Sequence, residues 1–137
     1  MLIVEETDLR LRVSEDEALE AVERSFRALA EGRVVQPPPM GFDFEESSGE
    51  VHVKGAYLKG SPIFAIKVAA GFYRNREAGI PVGSGLVLVF DAKTGFPLAL
   101  FRDNGYLTEL RTGAAGALAV RLLAPAAIEK MALVGTG

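Results

Sequence analysis

Apolar side chains follow helical spacing near the start of the chain and strand alternation through its middle. Ala18, Leu19, Val22, Phe26 and Leu29 fall on one face of a 3.6-residue repeat, which predicts an amphipathic helix. Ser14-Glu15-Asp16-Glu17 just before it has the S-x-x-E form of a capping box. In that box a hydroxyl and a carboxylate each satisfy a backbone N–H that the first turn leaves unpaired, so the helix starts there. Gly32 is placed to end it in the left-handed conformation. Burying the apolar face contributes roughly 1.5–3 kcal/mol per large side chain. Ahead of this helix, Leu2 to Val4 read as a short strand, and Thr7 as the cap of a helical turn over Asp8 to Arg12.

After Pro37-Pro38-Pro39, a stiff connector, the period falls to two. Phe42-Asp43-Phe44-Glu45-Glu46 and Glu50-Val51-His52-Val53-Lys54 alternate around the turn residues Ser47-Ser48-Gly49, which predicts a hairpin. Tyr57 and Leu58 extend its second strand, Lys59-Gly60-Ser61-Pro62 turns it, and Ile63 to Ala70 form the next strand. Gly71 to Pro81 reads as a charged loop. Gly85 to Phe90 is almost wholly apolar, as in a strand covered on both faces. Asp91 to Gly95 turns it into a strand over Phe96 to Phe101.

Leu107 to Leu123 returns to helical character but is thin, with Gly113, Ala114, Ala115, Gly116, Ala117 and Ala119. Two glycines cost such a helix about 1 kcal/mol each relative to alanine, and small side chains let a neighbouring backbone approach. Pro125 stops it. Met131 to Val134 read as a final strand, and Gly135-Thr136-Gly137 as the opening of a G-x-G-x-x-G turn. That fingerprint also needs a third glycine, a helix N-terminus for the pyrophosphate and an acidic residue for the ribose, so the glycine pair by itself is a weak signal. The expected fold class is α+β: an N-terminal helix, a mostly antiparallel sheet, a second helix, and the first strand of a truncated Rossmann domain. The expected division is 1–128 as one unit and 129–137 as the start of a dinucleotide-binding unit.

Composition narrows the function classes. The 137 residues are 49% hydrophobic, ample for one core. Fifteen Lys and Arg against 18 Asp and Glu leave a net charge of -3, which argues against a nucleic-acid partner. With no cysteine, disulfides and thiolate metal sites are excluded. The one histidine, His52, has no metal-ligand spacing to a partner, so no metal is expected. Glu5-Glu6 turn the N-terminus acidic too early for a signal peptide, and the apolar runs fall far short of a membrane span. The expected setting is cytoplasmic, with no membrane partner.

Few residues carry recognisable chemistry. Lys67 lies inside the apolar run Phe64-Ala65-Ile66-Lys67-Val68, where an unpartnered ammonium is expensive. Either it points into a polar cleft and holds a carboxylate, or its strand face is solvated and its stem covers apolar surface. Alternation puts His52 and Lys54 on one face, opposite Val51 and Val53. With Lys67 they make an anion site if the strand register is suitable, and an ordinary polar face if it is not. Arg111-Thr112-Gly113 suits a phosphate: bidentate donors, a hydroxyl and room for close approach. Arg111 has the alternatives of pairing with Glu109 or Asp103, or of facing water. Asn75 reads as a turn residue, and Arg74 and Arg76 as solvated loop charges. No nucleophile–base arrangement and no carboxylate pair for acid/base work is recognisable.

Four stretches together resemble the ornithine cyclodeaminase/mu-crystallin family: Phe64-Ala65-Ile66-Lys67; Asn75 before Gly79-Ile80-Pro81; Phe90-Asp91-Ala92-Lys93-Thr94-Gly95; and Leu107-Thr108-Glu109-Leu110-Arg111-Thr112-Gly113-Ala114-Ala115. Val51 to Tyr57 with Asp103 to Thr108 is similar to a branch of cyclodeaminase-like proteins of ectoine utilisation. The resemblance implies the N-terminal, substrate-binding and dimerisation part of an NAD- or NADP-dependent enzyme. Its chemistry would lie at the α-carbon of an amino or imino acid, as deaminating cyclisation or hydride transfer. It implies Lys67 as a catalytic residue at the substrate; a family arginine is absent, Pro39 being followed by Met40, so either Lys54 takes its substrate-binding role or the substrate differs from ornithine. Arg111, Thr112, Gly135 and Gly137 would serve the cofactor, and the family's catalytic aspartate would lie beyond Gly137. It also implies a homodimer, and little or no cofactor binding by this chain alone. A non-enzymatic, mu-crystallin-like ligand-binding or structural dimer module is the alternative.

Overall fold

The computed structural model describes residues 1–135. Strand β1 (Leu2–Glu5) runs directly into helix α1 (Glu6–Arg12), and helix α2 (Glu15–Ala30) follows. Then come strands β2 (Val34–Val35), β3 (Met40–Phe44), β4 (Gly49–Leu58), β5 (Ile63–Phe72), β6 (Gly83–Asp91) and β7 (Pro97–Arg102), and helix α3 (Tyr106–Leu123). No described helix is long and apolar enough to cross a membrane.

The capping box forms as expected. The backbone N–H of Glu17 donates to Ser14 Oγ at 3.2 Å, and that of Ser14 donates to Glu17 Oε2 at 3.0 Å. Helix α2 ends at Glu31, and Gly32 follows with φ +68°. Thr7 is not a cap. Helix α1 begins one residue before it, with Glu5 at the capping position and no side-chain cap, because the Glu5 carboxylate is held by Arg102 at 2.9 Å.

The strands form one sheet in the order β1-β7-β6-β5-β4-β2, with β3 also paired to β4. Neighbours from β3 to β7 are antiparallel. The exception is β1, which pairs parallel to β7 with Val4 opposite Phe101. Partners then align in rows across the sheet. One row runs Lys54, Lys67, Val87, Phe101, Val4; the next, on the other face, runs Gly55, Ile66, Leu88, Leu100, Ile3.

The helices cover the face that carries Lys67. Leu9 of α1, Ala18 and Ala28 of α2, Ala99 of β7, and Ala114 and Leu118 of α3 form the buried core. Alanines dominate because α2 and α3 pack closely. The opposite face has no such cover: Ile3, Met40 and Phe42 are half or more exposed, and Ile66, Val68, Leu86 and Leu88 are half-buried. Strand β6, expected to be covered on both faces, is therefore half-buried. The apolar face of α2 is also only partly covered, with Phe26 and Leu29 exposed.

The strand expected over Met131–Val134 is not formed, and residues 124–135 make no regular element. A strand exists only through a neighbour that takes its backbone N–H and C=O groups, and no described strand pairs with this one. The expected loop at Gly71 starts later, because β5 runs on to Phe72, where its N–H donates to the Val82 carbonyl at 2.9 Å.

Candidate functional site

The turn at Lys59–Pro62 sets the register of β4 and β5, and that register places Lys54 directly opposite Lys67. Like charges facing each other across a ladder are destabilising, so this pairing points to an anion. A third cation, Arg111, comes from α3. The Lys67 ammonium donates to Thr108 Oγ1 at 3.0 Å, and Arg111 lies one helical turn beyond Thr108 on the same side of α3. Lys67 is half-buried, and its pKa is held below the usual lysine range, first by that burial and then by the Arg111 and Lys54 charges. Asp103 alone among the named influences acts in the opposite sense.

The other sequence-derived candidates divide. His52 shares the Lys54 face, but its Nε2 lies 3.3 Å from Glu50 Oε2, and Glu50 Oε1 in turn accepts from the Tyr73 hydroxyl at 3.2 Å. The histidine thus belongs to a neighbouring cluster. Thr112 is exposed, and its hydroxyl donates to the Thr108 carbonyl at 2.6 Å. Asn75 is a turn residue, its Nδ2 donating to the Pro81 carbonyl at 2.9 Å, and Arg74 donates to the Glu46 carbonyl at 3.0 Å. Gly135 adopts φ +87° within the irregular C-terminal stretch, and Gly137 lies outside the described residues.

Arg111 pairs with neither Glu109 nor Asp103 and makes no ion pair among the described residues. It borders an open apolar cavity of about 790 Å³, together with Val22, Phe26, Leu29, Ala56, Ala65 and Ala115. Its free guanidinium can take a phosphate or carboxylate group. The α3 backbone at Gly113 and Gly116 adds room, since a Cβ built at either would touch nothing within 4 Å. Thr112 would donate to such a phosphate only on releasing the Thr108 carbonyl.

Two residues of this region escape a reading from the sequence alone. Thr108 holds Lys67, and the available signal was its place three residues before Arg111 on a helix. Asp103, just after β7, is 1% exposed. Its signal was alternation: it is two residues beyond Phe101, which shares a row with Lys67.

With this geometry in hand, comparison with known proteins is informative. The family model described as ornithine cyclodeaminase/mu-crystallin matches residues 1–137. A Rhizobium meliloti protein that bears the provisional name of a dehydrogenase is 45% identical over the whole chain, which covers 42% of that protein. Among solved structures, a Thermococcus litoralis Δ1-pyrroline-2-carboxylate reductase in complex with NADH and L-proline aligns with a TM-score of 0.85 and 35% identity, over 91% of this chain and 38% of that one. An archaeal alanine dehydrogenase dimer with bound NAD aligns at 0.84 and 34%, with the same coverage. The chain thus spans about two fifths of the length of the relatives it matches.

Proposed function

The chain belongs to the ornithine cyclodeaminase/mu-crystallin family, a family of NAD(P)-dependent enzymes, and on that premise we propose that it holds the substrate for such an enzyme. The reaction lies at the α-carbon of an amino or imino acid, as hydride transfer or deaminating cyclisation. Residues 1–128 form the substrate-binding and dimer-forming unit, and 129–137 begin a dinucleotide-binding unit.

The row of facing lysines carries this reading. Lys54 and Lys67 oppose each other in register with Arg111 nearby, an arrangement whose repulsion a substrate α-carboxylate relieves. Lys67 is the principal grip, because Thr108 fixes its ammonium at 3.0 Å, and Lys54 supplies the second charge. Arg111, with Thr112, Gly135 and Gly137, serves the cofactor phosphates. When bound, the nicotinamide supplies the hydride acceptor or donor. This chain's side chains orient the α-carbon by fixing the carboxylate next to it. The uncovered apolar face of the sheet serves a second copy, in keeping with the relative solved as a dimer.

The test is Lys67→Met in a full-length protein that carries this chain together with a dinucleotide-binding unit. Turnover of amino and imino acids should be abolished while NAD(H) or NADP(H) affinity is retained. Turnover at the unmutated rate would remove Lys67 from the site and the proposal with it.

A further inference from the structure

Asp103 is the one buried charged residue among those described, and its carboxylate is used only in part. Oδ2 accepts from the Leu107 N–H at 3.0 Å, which fastens the first turn of α3. Oδ1 is buried with no hydrogen-bond partner. Leaving a carboxylate oxygen unpaired in a dry site is costly unless a nearby charge offsets it. The cations that face Lys67 are Lys54 from β4 and Arg111 from α3, and Asp103 is the anion acting on it. Thr108, which binds the Lys67 ammonium, directly follows the residue that Asp103 fastens.

The fold holds this carboxylate in place at some expense. Gly105 takes φ +93° so that the turn folds back on the sheet. It comes to rest beside Gly85, where a Cβ would stand 3.6 Å from the Gly105 nitrogen and, too closely, 2.9 Å from the Val68 carbonyl oxygen of the neighbouring strand. From the other side, Asn104 donates to Glu6 Oε2 at 3.0 Å, and the Arg10 guanidinium lies 4.1 Å from the centre of the Tyr106 ring. Helix α1 therefore clamps both neighbours of the turn, yet no described donor reaches Oδ1.

We propose that Asp103 is a positioning residue for Lys67: one oxygen fixes the α3 turn that presents Thr108, and the other is the counter-charge that keeps the ammonium in place among the cations. Its role in substrate binding rests on the function proposed above, whereas its effect on the Lys67 charge does not. Asp103→Asn keeps an oxygen for the Leu107 N–H and removes the charge. With the full-length protein and 13C-methylated lysines, the Lys67 resonance, identified by its loss in Lys67→Met, should titrate at lower pH in Asp103→Asn than in the unmutated protein. The KM for the amino acid should rise while cofactor affinity stays the same. Thr108→Val leaves the α3 cap untouched and removes the hydroxyl that receives the ammonium, so it too should raise the KM for the amino acid with cofactor affinity unchanged, and it decides the matter even where Asp103→Asn does not fold. A Lys67 midpoint that stands still in folded Asp103→Asn, or an unchanged KM in Thr108→Val, overturns the proposal. A wild-type protein that turns over no amino or imino acid would overturn the proposed function and leave the Lys67 titration readable.

Discussion

Lys67 sits in surroundings that work against its own charge, and its pH behaviour follows. Burial, Arg111 and Lys54 all lower its pKa, with Asp103 opposing. For a lysine shifted down, the folded state disfavours the ammonium, so below the depressed pKa the charge detracts from stability. That cost is relieved as pH rises through the depressed value. The grip on a carboxylate has the opposite dependence, because it needs the ammonium. Amino-acid affinity should therefore hold steady at neutral pH and fall as pH rises, beginning below the ordinary lysine value of 10.5. Lys67→Met should remove that fall. Calorimetry across the alkaline range checks this, and a decline that persists in Lys67→Met would assign it to another group.

Among the elements, α2 is the one whose start rests on a few local bonds. The Ser14 hydroxyl accepts from the Glu17 N–H and donates to the Glu17 carboxylate at 2.8 Å. Ser14→Ala should cost about 1 kcal/mol of stability, read as a lower denaturation midpoint with an unchanged slope. Signals of this kind explain what was legible in the chain. The capping box and Gly32 act over a few residues and appear where the pattern put them; the hairpin forms too, but its turn comes early, as a 3-10 turn over Glu45–Ser47 that takes Glu45 and Glu46 out of the first strand and leaves Gly49 to open β4. The parallel pairing of β1 with β7 joins Leu2 to Ala99, and no local pattern encodes a partner so remote in sequence. The facing of Lys54 and Lys67 was half legible: alternation gave the face, but the register came only from the folded hairpin. Thr108 and Asp103 were hidden for the same reason, since each acts on a lysine brought near by the fold. Met131–Val134 shows the converse. Its composition suits a strand, and no described strand pairs with it.

At the scale of the whole molecule, the sheet is apolar on both faces and covered on one. Ile66, Val68, Leu86 and Leu88 stand half-buried at the centre of the uncovered face, with Met40 at 54% and Phe42 at 50% exposure beside them. Water against so many apolar side chains is unfavourable at roughly 25 cal/mol per Å², and patches of this kind mark interfaces. A second copy presenting the same face meets it with a like surface under two-fold symmetry. Lys67 points to the other side of the same strand, so the proposed assembly and the proposed substrate grip would separate by strand parity. Val68→Lys should yield a monomer by light scattering at concentrations where the unmutated chain is a dimer, with its circular dichroism retained. Lys67→Met, one residue away, should leave the dimer intact. A monomer from the unmutated chain at high concentration would refute the assembly, and a dimer that survives Val68→Lys would move the interface off this face.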